Sequence, residues 1–166
     1  MGEATHRELT VPNRTTCLAR VRHAVLELVG QGMFPAGEAQ LVALAVDEAV
    51  ANVMEHAFAV EGAEPRQEIQ IILEANGECF RALIRDGGRR FDPTAVPDVD
   101  IRQHVRQGRK GGLGIYLIRR IMDEVHYEFR ENGSNELLMV KYVDNRARKA
   151  TSGLPQRQEG VPKRCR

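Results

Sequence analysis

The stretch EIQIILEANGECFRALIRD, Glu68 to Asp86, decides the fold. Two runs rich in Ile, Leu, Phe and Ala flank Asn76-Gly77, a pair suited to a tight reversal of the chain, so the stretch predicts a β-hairpin. Working outward, Glu124 to Arg130 and Glu136 to Tyr142 form a second strand pair about Asn132-Gly133, and ELTV (Glu8 to Val11) alternates as a short strand. Leu18, Val21, Val25, Leu28 and Val29 recur at helical spacing, which predicts a helix from an Asn13 N-cap to about Val29, ended by Gly30 and Gly32. Pro35 opens a second helix from about Ala36 to Ala57, and Gly112 to Met122 has a third helical pattern. The order β-α-α-β-β-loop-α-β-β predicts an α+β two-layer sandwich, with helices on one face of a mixed, mostly antiparallel sheet.

The chain has 166 residues, 42% hydrophobic and 28% charged, with 24 Lys+Arg against 23 Asp+Glu. This suits one globular domain, expected over 6–144, with a core that needs no staples. Residues 145–166 carry seven basic side chains against one acid, Glu159, with Pro155, Pro162, Gly153 and Gly160, so they read as a basic, disordered tail. The remaining body is acidic, and nucleic acid is not the expected partner. No apolar run approaches the ~20 residues that cross a bilayer, and MGEATHRELT lacks a secretory pattern, so a cytoplasmic protein without a membrane partner is expected.

Three segments carry chemistry. In LVALAVDEAVANVM, residues 41–54, Val42, Val46, Ala49, Val50 and Val53 form a stripe toward the sheet, while Glu48 and Asn52 share the opposite face with Leu41 and Leu44. A carboxylate and a carboxamide on a greasy helix are either a buried hydrogen-bonded pair or an oxygen site, where the amide suits Mg²⁺ and the acid accepts a proton. Asp47 points about 100° away and reads as solvated or structural, and His56 as structural. In RDGGRRFDP, residues 85–93, Asp86 ends a strand and could accept from an exocyclic amine, with glycines allowing close approach. In RKGGLGIYLIRRIMDEV, residues 109–125, glycines 111, 112 and 114 open an amphipathic helix whose free amides attract phosphate, and Arg106, Arg109 and Lys110 precede them. The GxxxxGK[ST] order is absent, and so is a spaced GxGxxG.

DEAVANVMEHAF, DGGRRFDP and GGLGIYLIRRIMDEVHYE, in that order, resemble the N, G1 and G2 boxes of the GHKL ATP-binding superfamily, and most closely the anti-sigma-factor serine/threonine kinases of bacterial partner switching. The resemblance covers most of residues 8–143 and implies a Bergerat-type sandwich that uses ATP and Mg²⁺. It implies that Asn52 ligates Mg²⁺, that Glu48 is the general base, that Asp86 holds the adenine amine and that Gly88 lets the base approach. Arg109, Lys110, Gly111, Gly112, Leu113 and Gly114 would then bind the phosphates, with Gly87 to Gly111 as the ATP lid. Arg89 and Arg90 stand where many relatives have a third glycine. Near Ser134 and Asn135 the family often has a Thr that reaches adenine through water. The implied substrate is a small STAS-type antagonist, the implied second partner a sigma factor or comparable regulator, and a homodimer is possible. The alternative is a non-catalytic, ATP-gated binding module. The ATPase half of a histidine kinase fits poorly, because His23 in ARVRHAVLEL lacks the acid and proline of a phosphoacceptor. Arg14, Arg20 and Arg22 form a basic strip, either a solvated face or a dock for an acidic partner.

Overall fold

The computed structural model describes residues 4–30, 32–58, 68–97 and 113–143. The tail, the domain boundary expected at 144 and the site candidates Arg109, Lys110, Gly111 and Gly112 lie outside these residues. The elements run β1 Thr5–Pro12, a 3-10 turn Thr15–Cys17, α1 Leu18–Val29, α2 Ala36–Asn52, a π-turn Val53–Ala57, β2 Glu68–Ala75 and β3 Cys79–Asp86. A 3-10 turn Pro93–Ala95 follows, then α3 Gly114–Ile121, β4 Glu124–Phe129 and β5 Asn135–Tyr142.

The strands form one sheet in the order β1-β2-β3-β5-β4, and every described pairing is antiparallel, so the expected mixed sheet is not found. The reason is topological. The β3–α3–β4 crossover does bring β4 back in the direction of β3, but β5 inserts between them and pairs with both. The first hairpin forms where predicted by a route other than a left-handed Gly77: the Asn76 carboxamide accepts from the amides of Glu78 and Cys79, both at 2.9 Å. In the second hairpin Gly133 does take a positive φ of 83°, beside an Asn132 that accepts from Ser134 N and Oγ.

Alternation along the strands sends Leu9, Val11, Ile69, Ile71, Leu73, Phe80, Ala82, Ile84, Leu137 and Met139 to one face, where they meet Val21, Val25 and Val29 of α1, Val42, Val46 and Val50 of α2 and Ile118 of α3. Full burial of each large side chain contributes about 1.5–3 kcal/mol, so this layer fixes α2 against the sheet. α2 is buried on more than one side, with Leu41, 48% exposed, at its open start. Asn13 does not cap α1, because a 3-10 turn intervenes and the extended residue before that turn is Arg14.

Asp47 proves structural rather than solvated. It is buried and ion-paired with Arg22, which removes Arg22 from the free basic strip on α1. Burial pushes its carboxyl pKa up, with Arg22 opposing. His23 sits exposed beside Glu27 on α1, as a surface residue would.

Candidate functional site

The helix–sheet layer holds the C-terminal end of α2 above the ends of β3, β4 and β5. Glu48 and Asn52 stand here, one turn apart and half-buried. Glu48 makes no hydrogen bond or ion pair among the described residues, and the Asn52 Nδ2 is buried with no partner. Leaving that buried N–H donor unpartnered costs roughly 1–3 kcal/mol, which a hydrogen-bonding ligand would recover. The hydrogen-bonded pair allowed by the sequence does not form.

Against them lies the first residue of α3. A Cβ at Gly114 would come 2.5 Å from Glu48 Oε2 and 3.5 Å from Asn52 Nδ2, so glycine lets the start of α3 sit this close with the Glu48 carboxylate left where it is. Leu113 provides no side-chain cap, so among the described residues no side chain caps the amides at this helix end. A carboxylate, an unpartnered carboxamide and an uncapped helix N-terminus thus converge. Among the described residues no three His, Cys, Asp or Glu gather as a metal cluster. The donor set fits an ion that brings its own oxygens, as Mg²⁺ does with phosphates and water, and Asn52 adds one amide ligand.

Asp86, at the end of β3, faces Asn52 across a small cavity of about 20 Å³ lined by Ala49, Val53, Phe91, Pro93, Tyr127, Asn135 and Leu137. That volume suits about one water molecule. Asp86 Oδ1 accepts from Gly88 N at 2.9 Å and Asn135 Nδ2 at 2.8 Å, whereas no donor reaches Oδ2 among the described residues. Burial raises the Asp86 pKa, and the Asn135 and Gly88 donors oppose the rise. Tyr127 donates to Asn135 Oδ1 at 2.6 Å, and burial raises its pKa too. Gly88 has a reason inside the fold: its Cβ would lie 2.6 Å from Ala57 Cβ and O, and Arg89 N donates to Ala57 O at 2.8 Å. The π-turn that closes α2 is thereby locked to the loop after β3. Phe91 also stacks on His56, ring centres 4.5 Å apart, and Arg90 lies over Phe129.

Sequence reasoning missed Tyr127, Phe91 and Arg119. Arg119 Nη2 donates to Pro93 O, Thr94 O and Val96 O and so ties α3 to the wall of the cavity. Asn135 was legible only as a neighbour of Ser134. Its register, inward with Leu137 and Met139, is the signal that singles it out, while Ser134 stays in the turn. A larger open groove of about 720 Å³ lies on the helix-free side, lined by Gln70, Arg85, Arg130 and Glu136 among others. Its two arginines are already held by Glu136. We therefore place the site on the α2 side, where the unpartnered groups are.

The model of the histidine kinase-like ATPase domain matches residues 11–141. A serine-protein kinase RsbW from Halalkalibacterium halodurans is 27% identical over 148 residues, 84% of this chain and 87% of that protein. Another, from Bacillus cereus, is 26% identical over 140 residues, 82% and 84% of the two chains. Among solved structures, a chain of the SiaB–SiaC complex from Pseudomonas aeruginosa superposes with a TM-score of 0.60 at 18% identity, covering 81% of this chain and 88% of that one. The RsbU and RsbW domains of a Mycobacterium tuberculosis protein give 0.55 at 14% identity, covering 82% of this chain and 32% of that one. Both share the fold. With the family model spanning the three converging segments, this chain belongs to the histidine kinase-like ATPase domain family.

Proposed function

We propose that this protein is an ATP-dependent serine/threonine kinase, an anti-sigma regulatory factor of a partner-switching system that phosphorylates a small STAS-type antagonist. One observation carries the reading: α2 presents a carboxylate and a carboxamide, both without partners among the described residues, to an N-terminus of α3 that Leu113 does not cap. The serine-protein kinase names of the RsbW relatives support the substrate class.

In this reading Asp86 Oδ2 accepts from the adenine amine, and Gly88 allows the loop to close beside the base. Leu113 and Gly114 direct amides at phosphate oxygens, with Arg109, Lys110, Gly111 and Gly112 as their continuation. Asn52 would hold Mg²⁺ through its amide oxygen, and the ion would offset the negative charge on the phosphoryl group that ATP supplies. Glu48 accepts the proton of the incoming serine or threonine hydroxyl, and its freedom from other partners leaves it available as a base. Phosphoryl transfer needs little beyond this positioning. The unphosphorylated antagonist and a sigma factor, or a comparable regulator, compete for the protein in the cytoplasm.

Purified protein, antagonist and Mg·ATP should yield phosphoserine or phosphothreonine, and Glu48→Gln should abolish transfer while ATP still binds. Transfer that survives Glu48→Gln removes Glu48 as the base. ATP binding with no transfer to any antagonist leaves a nucleotide-gated binding module.

A further inference from the structure

We propose that Asn135 is the positioning residue for base recognition: its carboxamide, braced by Tyr127, aims Asp86 Oδ2 at the exocyclic amine of an aminopurine. The inference rests on the nucleotide-binding reading above. Asn135 is buried, and its Nδ2 lies 2.8 Å from Asp86 Oδ1, 3.2 Å from Gly88 O and 3.3 Å from Arg89 O. All three are acceptors, so the amide has one chemically sensible orientation, with the NH₂ toward Asp86. Its Oδ1 then faces β4 and takes the Tyr127 hydroxyl hydrogen.

A continuous run of directed hydrogen bonds therefore passes from Tyr127 through Asn135 to Asp86. Through Asn135 it ties the segment 86–89 to β4 and β5. Two consequences bear on recognition. Oδ1 is committed to Asn135 and Gly88, so the carboxylate cannot rotate without breaking bonds, and Oδ2 is the atom left for a ligand. Oδ2 accepts only, which selects a donor such as an amino group and repels a 6-oxo group. Tyr127 and Asn135 both line the cavity, so the clasp sets an aromatic wall and the polar floor together.

The test is a cycle between a side chain and a ligand group. Binding of ATP and of purine riboside triphosphate, which lacks the 6-amino group, is measured by calorimetry on the full chain and on Asn135→Leu. If Asn135 aims Asp86, Asn135→Leu loses about tenfold or more in ATP affinity, and purine riboside triphosphate loses less than about threefold. Tyr127→Phe, which removes only a hydroxyl, should show the same preference at smaller size and serves where Asn135→Leu does not fold. Equal losses for both nucleotides overturn the proposal and leave Asn135 structural. A wild-type chain that binds neither nucleotide overturns the nucleotide-binding reading itself.

Discussion

Gly114→Ala separates the needs of the fold from those of the site. The new methyl would start 2.5 Å from Glu48 Oε2, whereas ordinary contact begins at 3.4 Å, so the carboxylate must withdraw by about 0.9 Å. It is the free end of a flexible side chain, and Asn52 Nδ2, at 3.5 Å from the methyl, is not in conflict. Glycine is also the poorest helix former after proline, by up to about 1 kcal/mol relative to alanine, so the first turn of α3 gains what the contact loses. Stability should be unchanged or slightly higher. A base displaced by about 1 Å costs on the order of 10²-fold in rate. Single-turnover phosphoryl transfer at saturating ATP should therefore fall by about that factor, while the thermal midpoint stays within roughly 2–4 °C, the shift produced by about 1 kcal/mol in a domain of this size. Full transfer activity in a folded Gly114→Ala chain would refute the claim that Glu48 works from this position. A large drop in midpoint would refute the claim that the contact is cheap.

Gly88→Ala should behave in the opposite way. Its methyl meets the backbone of Ala57, with the carbonyl oxygen at 2.6 Å and carbon at 2.8 Å, so overpacking of about 1–3 kcal/mol should appear as a midpoint lower by several degrees. Asp86→Asn keeps an acceptor for Gly88 and Asn135 but removes a buried carboxyl whose folded pKa lies above its ordinary 3.8. The sign follows: the raised pKa favours folding below the ordinary value, and this contribution is lost as pH rises through the folded value. Asp86→Asn should thus match or exceed wild-type stability at pH 7 in urea titrations, with a shallower pH dependence across that window, while ATP affinity falls about 10–100-fold. Arg22→Ala strands the buried Asp47 carboxylate; with Arg22 54% exposed, the loss should be about 1–2 kcal/mol, and Asp47→Asn added to it should restore most of the stability in a denaturant-measured cycle.

Local signals with one physical solution were legible. Asn76-Gly77 and Asn132-Gly133 both announced turns, and the valine stripe of α2 announced which face meets the sheet. What stayed hidden depends on register and on neighbours distant in sequence. The insertion of β5 between β3 and β4 is set by which strand edges remain free after the hairpins close, and strand periodicity carries no record of it. Asp47 and Glu48 are adjacent and both acidic, yet one meets Arg22 on α1 and the other meets the start of α3. Only the packing of α2 against two different helices separates them. Likewise Gly88 was legible as a glycine near a ligand, but the Ala57 backbone that demands it comes from the far end of α2.

The distribution of unsatisfied groups argues that this region is shaped by a ligand. Elsewhere short polar side chains find partners: Asn76 and Asn132 cap their turns, Asp92 accepts from Thr94, and Asp123 accepts from Tyr142 N. Asp47 leaves one oxygen unpartnered but holds Arg22 with the other. Glu48, Asn52 Nδ2 and Asp86 Oδ2, by contrast, come from α2 and β3, and none of them has a partner among the described residues. An apolar replacement at Asn52 would remove a cost of about 1–3 kcal/mol, so stability alone does not account for its buried carboxamide. A ligand with donors and acceptors at matching places would recover that cost on binding, and it would raise the folding free energy by about 2.7 kcal/mol at a hundredfold excess over its dissociation constant. Such a ligand must carry a hydrogen-bond donor at its apolar end, for Asp86, and anionic oxygens at the other, for the amides of α3. A nucleotide bearing an aminopurine satisfies both ends at once.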